Sequence, residues 1–143
     1  MFQLYKELPA VIQRSLRVSL QEFMVVHLEK MEYGLVSPGV SMVDTALVAD
    51  VIVSIGTTRF LGKKRWTKVD FELPGEDLLR LLRELEYELR RKKPTKKEVE
   101  EYKQVLRVLG REEEFPLDYW LFKRRFYYLS YKAELMKAGS ARG

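Results

Sequence analysis

The chain has 143 residues, 46% of them hydrophobic and 33% charged, with 26 Lys and Arg against 21 Asp and Glu for a net charge of +5; it is long enough to bury a core and too apolar to be disordered. It holds no cysteine, no asparagine and one histidine, His27. Disulfides, thiol catalysis and N-glycosylation are thereby excluded, a structural zinc site lacks its ligands, and a Ser-His-Asp site could be built only on His27.

Pro9 fits the first turn of a short leading helix over residues 8–16, with Leu8, Val11, Ile12 and Leu16 on one face. Residues 18–33 are ambiguous. Glu22, Met24, Val26 and Leu28 alternate with Phe23, Val25 and His27, and the alternation is read as a strand. A second strand is expected over 47–55, where Leu47, Ala49, Val51, Val53 and Ile55 oppose Asp50 and Ser54. A third runs over 66–73, where Thr67, Val69, Phe71 and Leu73 oppose Lys68, Asp70 and Glu72. Residues 56–65 then form a long hairpin with Lys63, Lys64 and Arg65 at its tip. Three helices follow. Residues 76–92 place Leu78, Leu81, Leu82, Leu85 and Leu89 on one stripe, ended by Pro94. Thr95 and Glu98 form a capping box for a helix that Gly110 stops. After the charged linker 111–114, a last helix runs from about Pro116 to Ala138, with a frayed tail over 139–143.

Composition divides along the same line. The first 75 residues carry 9 basic and 8 acidic side chains and are rich in Val, Ile and Thr, whereas the last 68 carry 17 and 13 and are rich in Leu, Glu, Lys, Arg and Tyr. The expectation is one α+β domain over 1–143: a strand-rich part of about 1–74, an antiparallel sheet of three or more strands with a short leading helix, followed by a helical part of about 75–138.

No catalytic signature emerges. Gly56 to Lys64 resembles a phosphate-binding loop, but five residues separate Gly56 from Gly62, Lys64 stands where Ser or Thr must meet magnesium, and a strand pattern follows. Asp70 and Glu72 share one face and Asp50 sits on the neighbouring predicted strand, yet Pro74 occupies the place where a nuclease carries its lysine. These acids, and Glu112 to Glu114, read as solvated faces. His27 has no nucleophile or orienting acid near it in sequence. No catalytic residue, metal site or cofactor is expected.

The richest segment is 115–131, which holds eight of the 17 aromatic residues, with Lys123, Arg124 and Arg125 among them. One core stripe cannot bury so many rings. If Phe122, Phe126 and Leu129 face inward, Trp120, Arg124, Tyr127 and Tyr131 form a second face, of the residue types that dominate protein interfaces and can also stack on bases. A core role for the whole stripe is the competing reading. Lys63, Lys64 and Arg65, with Arg90, Arg91, Lys92, Lys93, Lys96 and Lys97 around the Pro94 junction, are candidate basic patches for phosphate or an acidic partner.

The missing Asn and Cys, with abundant Glu, Lys and Arg, point to a thermophilic source. In these absences, in size, and in Leu/Glu/Arg-rich helices such as residues 78–85 (LLRLLREL), the chain resembles the small phage-encoded regulators of thermophilic bacterial RNA polymerase. The resemblance is one of composition and layout and carries over no functional residue. It implies a non-catalytic protein that binds polymerase or its sigma subunit, with DNA nearby. A nucleic-acid-binding module using the basic patches ranks second and a metal-dependent nuclease third. The longest nearly uncharged stretch, 33–49, is broken by Ser37, Pro38, Gly39 and Asp44, short of the ~20 apolar residues of a membrane span, and no export signal is visible at the N-terminus. A cytoplasmic location, in the host if the chain is phage-encoded, and no membrane partner follow as expectations.

Overall fold

The computed structural model describes residues 3–142, of which 140–142 are described by backbone alone. It contains five α-helices: α1 (Ala10–Lys30), α2 (Thr45–Leu61), α3 (Gly75–Arg90), α4 (Lys96–Leu109) and α5 (Tyr119–Arg142), with short 3-10 turns at Tyr5–Glu7 and Arg65–Lys68. No strand or sheet occurs among the described residues; two isolated bridges, Leu4 with Glu72 and Ser37 with Val40, are the only β-type pairings described. The expected α+β architecture with an N-terminal antiparallel sheet is therefore wrong, and the fold is all-α.

Each of the three expected strands fails for its own reason. Residues 18–30 continue the leading helix, because Leu16, Leu20, Met24 and Leu28 recur every four residues and all four are buried. That ladder outweighs the weak two-residue alternation laid over it. Residues 47–55 lie inside α2. Asp44 caps it, accepting from the Leu47 amide at 2.8 Å, and Gly62 ends it in the left-handed conformation at φ 65°. The expected hairpin over 56–65 is thus absent: Gly62 within it is a helix stop. Residues 67–73 keep their alternation of burial, with Phe71 buried, Thr67, Val69 and Leu73 partly buried and Lys68, Asp70 and Glu72 exposed, while the buried Trp66 falls out of that register, and there is no ladder. They begin as a 3-10 turn, and their only β-type pairing among the described residues joins Glu72 to the N-terminal segment, through Tyr5 N to Glu72 O at 3.0 Å and Glu72 N to Gln3 O at 2.8 Å.

The three C-terminal helices stand as expected. Leu78, Leu81, Leu82 and Leu85 are buried on α3. The Thr95 hydroxyl accepts from the Glu98 amide at 3.1 Å, the Glu98 carboxylate accepts from the Thr95 amide at 2.9 Å, and Gly110 closes α4 at φ 65°. Helix α5 starts three residues after Pro116, where the Asp118 carboxylate accepts from the Trp120 and Leu121 amides. It continues as helix through Arg142 rather than ending near Ala138; of the expected frayed tail, Gly143 lies outside the described residues.

The chain divides into two compact units, not at Pro74 but in an interleaved way: residues 1–30 with 41–87, and residues 31–40 with 88–143. The first unit holds α1, α2 and most of α3. Its central side chain is Trp66, fully buried, whose indole Nε1 donates to the buried Ser19 hydroxyl of α1 at 2.9 Å. Glu86 is also buried there and accepts from the Met42 amide and the Ser41 hydroxyl, both at 2.6 Å. The second unit packs α4 against α5 around Tyr102, Leu106, Phe122 and Leu129, with Phe115 and Phe126 against them.

Candidate functional site

In the second unit, the loop after α1 is tied to α5. Glu32 and Tyr33 both adopt left-handed backbone, at φ 51° and 58°, an unfavourable state for residues with a Cβ. The strain is held because Tyr33 is buried and stacks on Tyr127, ring centroids 6.2 Å apart. The Arg124 guanidinium donates to the Val36 carbonyl at 2.8 Å. These ties leave a groove of about 350 Å³ lined by Met31, Glu32, Gly34, Arg124, Tyr127, Tyr128 and Tyr131. A second groove, of about 410 Å³, is lined by Pro116, Leu121, Arg124, Arg125 and Tyr128. The two share Arg124 and Tyr128, so they form one continuous surface along α5.

Of the four residues predicted to form this face, the structure brings three together at the surface. Tyr131 is 61% exposed, Arg124 is exposed, and Tyr127 is partly covered by Tyr33. Trp120 is not part of it: it is 1% exposed, with the Arg90 guanidinium 4.9 Å from its ring centroid. Tyr128 takes its place. Its ring lies 5.3 Å from the Arg125 guanidinium and 4.9 Å from the Lys132 ammonium, and the hydrogen bond from Lys132, with the charge of Arg125, holds its hydroxyl below the usual phenol pKa. The signal for Tyr128 was available as its four-residue spacing from Arg124 and Lys132.

Behind this surface, the carboxylate of Glu113 accepts from Arg125 Nε and Nη2 and from the Tyr102 hydroxyl, each at 2.9 Å. The Arg125 fork pulls Glu113 down to a pKa of about 2. Burial pushes the Tyr102 phenol up, and the Glu113 carboxylate that it donates to adds to the shift. The middle acid of the linker is thus a structural anchor. On α4, burial acts to raise Glu98, but the Thr95 amide and the Tyr119 hydroxyl outweigh it and hold the group below its ordinary value.

The basic candidates separate. Arg90 is a packing residue: it donates to Asp118, Ser37 O and Val40 O and is 13% exposed. Lys92 lies 5.1 Å from the Tyr119 ring centroid, and Lys97 pairs with Glu101 at 3.8 Å. Arg91, Lys93 and Lys96 are exposed. In the first unit, Lys63, Lys64 and Arg65 line a groove of about 390 Å³ with Arg14, Ser15 and Ser19 of α1; Arg14 had no sequence signal to join them.

The acids do not gather. Among the described residues there is no group of three or more His, Cys, Asp or Glu placed to hold a metal. Asp50 instead meets His27, Oδ2 to Nδ1 at 2.7 Å, supplying the partner that sequence proximity could not reveal. The imidazole is 10% exposed and clamps α1 to α2. No helix is long and apolar enough to cross a membrane among the described residues. Comparison with known protein families, curated proteins and solved structures finds no match.

Proposed function

We propose that this chain is a non-catalytic regulator that binds a protein partner through the tyrosine- and arginine-rich face of α5, in the cytoplasm of a thermophilic host. One observation carries the reading: Arg124, Tyr128 and Tyr131 lie together, exposed or half-exposed, along two adjoining grooves. Tyr offers large contact area at modest entropic cost and Arg several hydrogen-bond donors in a planar fork, which is why both concentrate at binding hot spots. The grooves have Arg124, Arg125 and Lys132 around them against Glu32 and the paired Glu113, so the partner surface they favour is acidic. The resemblance in composition to polymerase regulators directs the first test to RNA polymerase.

The test is binding of purified bacterial RNA polymerase, core and sigma-loaded, to immobilised protein. Wild type is expected to bind, and Arg124→Glu and Tyr131→Ala to weaken binding about tenfold or more, as for hot-spot residues. Absence of binding to either form of polymerase refutes the polymerase assignment. Binding to DNA alone, falling steeply with salt and lost on changing Lys63, Lys64 and Arg65 but not Tyr131, would support the nucleic-acid reading instead.

A further inference from the structure

We infer that the chain associates with a second copy of itself through the outer face of α2, in an antiparallel two-fold pair. The helix carries apolar residues on both its inner and its outer side, yet only Leu47 and Val51 are buried. Ala46, Ala49, Val53, Gly56 and Phe60 follow the 3-4-3-4 spacing of a coiled-coil seam, and all five are exposed, Val53 by 68% and Phe60 by 91%. At 100° per residue this seam lies opposite Leu47 and Val51. The two charges within α2 lie off it: Asp50 bonds His27, and the Arg59 guanidinium packs 4.7 Å from the Phe71 ring centroid. The Thr57 hydroxyl, beside the seam, donates to the Val53 carbonyl at 3.1 Å and so asks for no outside partner. An exposed apolar seam of this kind marks a surface that another surface covers.

Gly56 leaves room for such a partner. A glycine in the middle of a helix weakens it, and here a Cβ would meet nothing within 4 Å, so nothing inside the chain requires glycine. A second helix seated on the seam would approach closest at this position.

The seam is complementary to itself reversed. In an antiparallel pair, core layers join an a position of one helix to a d position of the other. The register that seats Phe60 on Ala49 of a second copy also seats Val53 on Gly56, so each large side chain meets a small one, twice over under the two-fold axis. Ends match as well: the basic cluster Lys63, Lys64 and Arg65 follows α2, the exposed Asp44 caps its start, and antiparallel alignment sets each cluster over the other copy's acid. A parallel pair would stack Phe60 on Phe60, leave a void between two glycines and drive the basic clusters together. Two 17-residue helices, each about 25 Å long, make an interface at the small end of the stable range, so the association is reversible.

Sedimentation velocity over a concentration series tests this. Wild type is expected to shift from monomer to dimer, and Val53→Glu and Phe60→Glu to raise the dimer dissociation constant about tenfold or more, with circular dichroism unchanged because both positions are exposed. Gly56→Ala is expected to raise the melting temperature of dilute protein while weakening the dimer, opposite signs that a purely structural glycine would not give. Because the chain has no cysteine, Ala46→Cys and Lys63→Cys chains can be mixed and oxidised: a cross-link between the two different chains supports the antiparallel register, and a Lys63→Cys chain linked to its own kind overturns it. A monomer at every concentration, a dimer indifferent to Phe60→Glu, or a monomer that instead sediments with phosphatidylcholine vesicles each overturns the inference.

Discussion

Glu113 shows how far one side chain's environment can move it from its sequence reading. Within the run Glu112 to Glu114 it reads as linker, yet its two oxygens hold the Arg125 fork and the Tyr102 hydroxyl. Its pKa falls from 4.5 to about 2 in the folded chain, so the stabilisation is complete above pH 4.5 and is lost as pH falls toward 2. Wild type should therefore lose more melting temperature over that window than Glu113→Gln, which removes the titrating group; thermal melts across the pH series check it. Glu86 is the counterpart in the first unit. Its carboxylate satisfies a buried backbone amide, and Glu86→Ala leaves the Met42 N–H unpaired, at a cost of about 2 kcal/mol, read from denaturant unfolding.

At the scale of elements, α1 separates the two periodicities most sharply. As a strand, residues 24 and 26 would share a face; in the helix Met24 is fully buried and Val26 is 53% exposed. Met24→Ala is accordingly expected to cost about 2–5 kcal/mol, and Val26→Ala no more than about 0.5 kcal/mol, as at other exposed sites. Equal losses in denaturant unfolding would speak for the strand. The capping box of α4 was legible because its partners are three residues apart, and Thr95→Ala should cost about 1 kcal/mol. Helix α2 is hard to read although its stop signals are plain: Asp44 and Gly62 bracket it, but apolar residues on both its buried side (Leu47, Val51) and its exposed side (Ala49, Val53, Phe60) hide the helical period. A helix buried on one side and apolar on the other has no amphipathic pattern to read.

For the whole molecule, function rests on surfaces whose members come from distant parts of the chain. Met31 and Glu32 reach the α5 grooves, and Arg14 joins the Lys63 cluster. The net charge of +5 says little about either, since 26 positive and 21 negative side chains are spread over nearly every element. If the partner face is electrostatic in part, binding at α5 should weaken as salt rises and weaken less steeply in Arg124→Glu, measured as the slope of affinity against ionic strength.

Local interactions were readable in advance: the leucine stripe of α3, the Thr95 box, the Gly110 stop and the aromatic and basic content of α5 each depend on residues within a few positions of one another. Which rings are core and which are surface was not. Trp120 and Tyr131 are both aromatic and both on α5, yet Arg90 covers the first and the second stays open. The pairing of His27 with Asp50, 23 residues away, and of Glu86 with Ser41, 45 residues away, also arises only once the helices pack. Burial and partner choice depend on which segments meet in space, and the choice between strand and helix in the first half turned on those same contacts, because its β-branched residues suit either backbone when read alone.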